Sequence, residues 1–166
     1  MIRTCFFALL TLIYTLSVPT IATAQDTKKG AGDTVRYASL RADEVNVRAG
    51  PGVRYPVKWV FVRKRLPVAI TAEFESWRKI RDCEGAKGWV HRAMLSAKRS
   101  IVVRAEMLTL RRSATESAPA VAQLATGIVA QVERCDGLWC EVSVDTYSGW
   151  VRQSGLWGLR NKEVIE

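Results

Sequence analysis

The stretch Asp43-Glu-Val-Asn-Val-Arg-Ala-Gly-Pro-Gly52 decides the fold of this chain. Val45 and Val47 alternate with polar residues, a pattern that predicts a half-buried strand. The strand leads directly into Gly50-Pro51-Gly52, where the proline fixes its own φ and the glycines are expected to take positive φ. A short strand followed at once by a tight turn predicts the opening of a small β-barrel unit.

The chain repeats this unit about sixty residues later, which indicates a duplicated domain. Three motifs recur in the same order with offsets of 63, 62 and 61 residues: Asn46-Val47-Arg48 with Thr109-Leu110-Arg111, Trp77-x-x-Ile80 with Trp139-x-x-Val142, and Gly88-Trp89-Val90 with Gly149-Trp150-Val151. One-residue drifts are typical of loops that vary in length. The repeat predicts a first domain over residues 35–99, a second over 100–158 and a C-terminal tail over 159–166.

Both units consist of short apolar runs separated by turn signals, without a long helical period. This pattern predicts an all-β fold of small barrels. Pro67 lies within one such run and predicts a strand edge or a bulge. Units of about sixty residues bury only a modest core, so packing of the two domains against each other is expected to compensate.

The N-terminus has the features of an export signal. Arg3 precedes an almost wholly apolar run, and Ala22-Thr23-Ala24 fits a small-x-small cleavage site. We expect residues 1–24 to be a cleaved signal peptide and 25–34 a flexible spacer, leaving no membrane span, with a retained anchor as the alternative. The protein is therefore expected to be exported, either periplasmic or extracellular. Export makes nucleic acid an unexpected partner, although the formal net charge is +9.

The three motifs resemble the bacterial Src-homology-3-type (SH3-like) domain, in two copies over about residues 36–158. The first copy carries Asn-Val-Arg-x-Gly-Pro, whereas the second is degenerate because Arg112-Ser113 follows Arg111. Members of this family are typically exported, often occur in cell-wall-associated proteins and in several cases bind peptidoglycan peptides. The resemblance thus implies two tandem SH3-like β-barrels and an envelope ligand.

Aromatic and basic residues of the first domain are the candidate ligand contacts. Tyr55 and Trp59 are bracketed by Arg54 and Lys58, and aromatic rings beside cations suit a peptide that carries carboxylates. The second domain has alanine at the positions of Tyr55 and Trp59, so such a groove would belong to the first domain alone. The alternative is that Trp59 belongs to the core and the basic residues form a solvated face.

Trp77 and Arg78 form the second candidate. If Ile80 points into the barrel, a regular strand places Trp77 on the opposite face, where it could be a ligand platform beside a basic strand. The alternative is that barrel curvature or the neighbouring domain covers the ring. We expect Arg48, in contrast, to bond turn backbone near Gly50 rather than ligand.

Cys135-Asp-Gly-Leu-Trp-Cys140 places two cysteines on either side of a turn, where a hairpin would set them opposite one another. In an oxidising compartment this arrangement predicts a disulfide. Cys83 is then left over, either free or paired with another chain.

Catalysis is not expected. Cys83 and His91 could suggest a thiol hydrolase, but no scaffold for such an enzyme is recognisable. The four potential zinc ligands are split between the domains and lack close Cys-x-x-Cys pairs, so no metal and no cofactor are expected.

The sequence predicts a non-catalytic module that binds peptidoglycan peptides or another envelope component through the first domain. The alternative is an adaptor that binds an envelope protein and not the wall; the oligomeric state is left open.

Overall fold

The computed structural model describes residues 35–166, which form fifteen β-strands and one 3₁₀ turn at Arg92–Met94. The predicted signal peptide and spacer lie outside the described residues. In the part that is described, no helix has the length and apolarity needed to cross a membrane. The all-β prediction is confirmed.

The strands form two curled antiparallel sheets, one in each domain. The first sheet has the order β3-β2-β6-β5-β4-β1-β7. Its strands are β1 (Arg36–Leu40), β2 (Val45–Arg48), β3 (Val57–Phe61), β4 (Pro67–Phe74), β5 (Trp77–Arg81), β6 (Lys87–His91) and β7 (Leu95–Ser96).

The second sheet has the order β10-β9-β13-β12-β11-β8-β14, and a last strand pairs with β11. Its strands are β8 (Ser100–Val103), β9 (Met107–Arg111), β10 (Ala120–Ala125), β11 (Val129–Asp136), β12 (Trp139–Val144), β13 (Tyr147–Arg152), β14 (Leu156–Trp157) and β15 (Val164–Ile165). The two orders correspond strand for strand, so the sequence repeat is a structural repeat.

The apolar residues of the repeated motifs form the cores. Val47, Ile80 and Val90 are buried together in the first domain, and their counterparts Leu110, Val142 and Val151 are buried together in the second. Burial of each such side chain contributes roughly 1.5–3 kcal/mol.

The prediction that the glycines of the Gly-Pro turn take positive φ was wrong. Neither Gly50 nor Gly52 has a positive φ. Gly50 is buried beneath the ring of Tyr55, and a Cβ added to Gly50 would lie 2.5 Å from Tyr55 Cδ1. The turn therefore requires glycine at position 50 because an aromatic ring packs directly on the backbone, and backbone conformation is not the constraint.

Arg48 holds this same turn, as expected. Its Nη1 donates to the carbonyl oxygens of Val53 (3.0 Å) and Tyr55 (2.7 Å). In the second domain, Arg111 donates in the same way to the carbonyl oxygen of Ala118 at 2.9 Å. The arginine of each motif thus replaces missing ladder hydrogen bonds in the loop after the second strand of its domain.

The two domains pack against each other, and the last residues of the chain take part. Tyr37 meets Trp157 edge to face with ring centroids 5.2 Å apart, and the guanidinium of Arg99 lies 5.8 Å from the centroid of Tyr37. Arg99 also forms two hydrogen bonds of 2.9 Å to the carboxylate of Glu163. Since β15 pairs with β11, the segment 159–166 belongs to the packed structure of the second domain.

Cys135 and Cys140 lie directly opposite each other on β11 and β12 and form a disulfide. Both cysteines are buried in the second core. Cys83 is free and half-buried in the loop between β5 and β6. The predicted disulfide is confirmed.

We expect Cys135→Ala/Cys140→Ala to lower the free energy of unfolding by about 2 kcal/mol, since the bridge restricts a short loop in the unfolded chain. Urea denaturation measures the change. Cys83→Ala is the control, with an expected effect below about 0.5 kcal/mol. Equal effects of the two changes would contradict a stabilising role for the bridge.

Candidate functional site

The outer face of β5 and β6 in the first domain carries a row of aromatic side chains. Ile80 is buried, and Trp77 lies on the opposite face of β5. The strand register places Trp77 between Phe74 on β4 and His91 on β6. Trp77 and His91 meet edge to face with ring centroids 5.5 Å apart, and Phe74 is 51% exposed. Three rings from three adjacent strands thus share one surface.

Trp89 extends this surface along β6. It lies two residues before His91, so both side chains point to the outer face. Its cross-strand neighbours are Lys79 on β5 and Arg48 on β2. Lys79 is exposed, and Trp89 is half-buried. We call Phe74, Trp77, Trp89 and His91 the aromatic face.

Arg78 lies on the opposite side of β5 from Trp77 and stabilises the hairpin that carries the aromatic face. Only 16% of its side chain is exposed, and its Nη1 donates to the carbonyl oxygens of Glu75 (2.8 Å) and Trp77 (2.9 Å). Its Nη2 pairs with the carboxylate of Glu73 at 3.2 Å. Glu75 has a φ of 48°, a conformation that a non-glycine residue adopts only when its surroundings hold it there. Arg78 therefore fixes the tip of the hairpin that presents Phe74 and Trp77.

The equivalent face of the second domain is covered. Trp139, the counterpart of Trp77, is 6% exposed because the guanidinium of Arg152 lies 4.6 Å from its ring centroid. Arg152 is held in place by Glu116 at 2.6 Å. The position of His91 is thus occupied by an arginine that closes over the tryptophan.

An arginine also lies over Trp150, the counterpart of Trp89 in the second domain. The guanidinium of Arg134 lies 4.9 Å from the ring centroid of Trp150, and Arg134 pairs with Glu141 at 2.7 Å. Ala72 and Lys79 are the first-domain residues in register with these two charges. Alanine and lysine cannot form that ion pair, so position 72 provides no arginine over Trp89; both Trp89 and Trp150 are half-buried.

Asp136 stands where the first domain has Phe74. Hydrogen bonds from the backbone N–H groups of Trp139 and Leu138 hold the pKa of Asp136 below its ordinary value. The carboxylate of Asp136 therefore acts as a hydrogen-bond acceptor that stabilises the β11–β12 turn. An exposed apolar ring in one domain is replaced by a turn-forming charge in the other.

The second group of predicted contacts has a different environment. Trp59 and Phe61 pack against the core of the first domain and meet edge to face at 6.1 Å. Lys58 Nζ lies 5.1 Å from the ring centroid of Trp59, and the Arg54 guanidinium lies 5.5 Å from that of Tyr55. Tyr55 and Trp59 therefore each have a basic side chain beside the ring.

Trp59 and Trp77 do not share a surface. Trp59 is paired with Val47, which is fully buried, so its ring lies on the core side of the sheet. Trp77 lies on the outer side. The structure brings Trp77 together with Phe74, Trp89 and His91, which the sequence analysis did not nominate as ligand contacts.

Comparison with known proteins places the fold in a family. The bacterial SH3 domain model matches residues 41–97 and 104–158. The chain belongs to the bacterial SH3 domain family. It has two tandem copies of the domain, as predicted, and the family suggests a cell-wall-associated binding module. The disulfide and the family are both consistent with an exported protein.

Solved structures with a similar arrangement include NlpC2 from Trichomonas vaginalis and an NlpC/P60 family protein from Bacillus cereus ATCC 10987. NlpC2 has 11% identity and a TM-score of 0.34 over 75% of this chain and 48% of its own. The Bacillus protein has 10% identity and a TM-score of 0.33 over 73% of this chain and 55% of its own. This bacterial SH3 chain thus spans about half the length of these structures. No curated protein matches the sequence.

Cys83 and His91 occupy opposite ends of the β5–β6 hairpin. His91 pairs with Trp77 at one end, and Cys83 follows the Arg81–Lys87 pair at the other. Four residues of strand separate the two pairs by roughly 13 Å. This distance is too great for an imidazole to activate the thiol. Over residues 35–166, no group of three or more His, Cys, Asp or Glu side chains is arranged to hold a metal ion.

Proposed function

We propose that this bacterial SH3 protein is a non-catalytic, exported binding module whose first domain recognises peptidoglycan peptides through the aromatic face. The observation that carries the proposal is the contrast between the domains. The aromatic face is partly exposed in the first domain, whereas in the second domain Trp139, the counterpart of Trp77, is buried beneath Arg152, which pairs with Glu116.

The chemistry of the aromatic face suits a short peptide with carboxylates. Partly exposed rings offer flat apolar area at small entropic cost, because a tryptophan has few side-chain torsions to fix. Lys79 lies beside Trp89, and further cations of β5 and β6, Arg81 and Lys87, point to the same outer side. Cations beside the rings attract carboxylates, so binding should weaken as salt rises.

The Tyr55–Trp59 group has a supporting role in this proposal. Tyr55 packs on Gly50, and Trp59 packs beside Gly88 between β2 and β6. These contacts fix the β2 strand, whose Arg48 is in register with Trp89. Arg54 and Lys58 remain exposed and add positive charge beside Tyr55 and Trp59.

The test is retention of the full chain on purified insoluble peptidoglycan across a salt series. Trp77→Ala and Trp89→Ala are each expected to weaken retention at least about tenfold, as for central aromatic contacts in other interfaces. Trp150→Ala is the matched control, because Trp150 is the counterpart of Trp89 in the second domain. Circular dichroism checks that each variant is folded.

Equal retention of wild type and folded Trp77→Ala would exclude the aromatic face as the wall-binding site. A loss that is the same for Trp89→Ala and Trp150→Ala would also exclude it.

An envelope adaptor is the second candidate, and one observation favours it. Strand β3 ends the order of the first sheet and carries two exposed apolar residues, Val57 at 41% and Val60 at 43%. Exposed sheet edges can pair with an extended segment of another protein. Absence of retention on peptidoglycan even at low salt would favour this candidate over wall binding.

A further inference from the structure

A basic cleft lies where the two domains meet. A cavity of about 420 Å³ opens there, lined mostly by residues of the first domain and also by Ser100 and Gln131 of the second. No acidic side chain lines it. Its cations are Arg41, Lys64, Arg65, Lys98 and Arg99. We call these five residues and the space between them the junction cleft.

Most of this positive charge is not neutralised by the protein. Arg99 is paired with Glu163, but within residues 35–166 no carboxylate pairs with the other four cations. All four are exposed. Like charges held in one concave surface repel each other and raise the local positive potential. An anion in the cleft would relieve that repulsion.

The backbone that carries these cations is held in an unfavourable conformation. Arg65 has a φ of 62°, a conformation that is unfavourable for a residue with a Cβ. Two hydrogen bonds maintain it: the N–H of Arg65 donates to the carbonyl oxygen of Leu40 at 2.9 Å, and Ser100 Oγ donates to the carbonyl oxygen of Arg65 at 2.6 Å. The second bond joins the two domains.

Lys98 is fixed from the other side. Ser39 Oγ donates to the carbonyl oxygen of Lys98 at 2.7 Å. The Arg65 segment is therefore tied to the end of β1 and to the start of β8, and the Lys98 segment is tied to β1, so both cation-bearing segments are held at fixed positions. One short side-chain hydrogen bond across the junction and one within the first domain thus hold the backbone that carries the charged cleft.

We propose that the junction cleft binds a phosphate-bearing anion. A phosphate group carries up to two charges and three oxygen acceptors, so several lysine and arginine donors can engage it at once. A single carboxylate has one charge and two oxygens and can engage fewer of these donors; the carboxylate of Glu163 is already occupied by Arg99 and Arg160. The phosphate could belong to a soluble phosphorylated sugar or to a lipid headgroup. The junction cleft shares no residue with the aromatic face, so this proposal does not rest on the proposed function.

Isothermal titration of the full chain with inorganic pyrophosphate tests the site. Lys64→Gln/Lys98→Gln is expected to weaken binding at least about tenfold, since it removes two charge-assisted contacts to the phosphate oxygens. Arg104→Gln/Arg112→Gln is the matched control: it removes two exposed charges of the second domain outside the cleft and should change the dissociation constant less than about twofold.

A second experiment distinguishes the source of the phosphate. Co-sedimentation with phosphatidylcholine vesicles that contain phosphatidylglycerol is compared with competition of pyrophosphate binding by glucose 6-phosphate. Vesicle binding that is lost only in the cleft variant identifies a lipid headgroup, and competition by the sugar phosphate without vesicle binding identifies a soluble ligand. Absence of pyrophosphate binding, or equal losses in the cleft and control variants, would overturn the proposal and leave only attraction by net charge.

Discussion

Gly149→Ala is expected to lower the free energy of unfolding by about 2–3 kcal/mol. Gly149 lies in β13, where the neighbouring strand β9 approaches closely. A Cβ at this position would lie 2.5 Å from the carbonyl oxygen of Arg111 and 3.1 Å from Leu110 Cγ. The first of these atoms belongs to the backbone, so a rotamer change cannot relieve the clash and two strands must separate.

The measurement is urea denaturation, with the midpoint and the slope m compared with those of wild type. Gly52→Ala is a suitable control because its Cβ would meet the ring of Tyr55 at 3.5 Å, an ordinary contact, and its φ is not positive. We expect the control to change stability by less than about 0.5 kcal/mol. A Gly149→Ala protein as stable as the control would show that the glycine of the Gly-Trp-Val motif is not required by strand spacing.

Glu163→Gln is expected to destabilise the protein by about 2–3 kcal/mol at neutral pH. The side chain of Glu163 is 4% exposed and accepts hydrogen bonds from Arg99 and from both the backbone and the guanidinium of Arg160. Removing one partner of a buried ion pair leaves the other charge uncompensated, which typically costs 3–5 kcal/mol. The expected value is smaller here because 21% of the Arg99 side chain remains exposed.

The pH dependence of stability should report the same carboxylate. Burial raises the pKa of Glu163, but the hydrogen bonds from Arg99 and Arg160 and the charge of Arg99 outweigh it, so the pKa lies below the ordinary value of 4.5. A carboxyl whose pKa is lowered by folding stabilises the protein above its unfolded pKa, and this contribution is lost as the pH falls through the folded pKa. The wild type should therefore lose stability below about pH 4.5, and more steeply than Glu163→Gln.

Thermal unfolding from pH 7 to pH 3 measures both slopes. Asp136 contributes a similar loss in both proteins, because its pKa is also lowered, so the difference between the two curves isolates Glu163. Parallel curves would mean that the Arg99–Glu163 pair does not stabilise the folded state.

The two domains show how a duplicated scaffold can acquire different surfaces. Glu73 and Arg78 form a cross-strand ion pair in the first domain at the register positions where the second domain has Cys135 and Cys140. Both pairs fix the same hairpin, one with charges and the other with a covalent bond. The hairpin then presents an exposed phenylalanine in one domain and a turn-forming aspartate in the other.

Much of the fold could be predicted from the sequence because it depends on local patterns. Alternating valines in β2 place Val45 and Val47 in the core, and the parity of β5 places Trp77 opposite Ile80. The disulfide follows from two cysteines flanking a tight turn. The two-domain organisation follows from three motifs repeated in order. Each of these inferences uses residues within a few positions of one another, or direct comparison of the two repeats.

Part of the candidate site could also have been found by a fuller use of the repeat. Comparison at offsets of 62 and 61 residues pairs Phe74 with Asp136 and His91 with Arg152, so that only the first domain has rings at both positions. The tryptophans themselves are the same in both repeats, so the difference between the domains lies in these neighbouring residues.

The all-β class, the buried faces of the motif strands, the duplication and the disulfide could be inferred from the sequence, because hydrophobic periodicity and turn chemistry act over short distances along the chain. Only the tertiary structure decided that Phe74, Trp77 and His91 share a surface, that Arg152 covers Trp139, and that Arg99 meets Glu163 across 64 residues. These contacts depend on strand register and on the packing of one domain against the other. Both are set by the balance of many non-local interactions, which no short segment of the sequence contains.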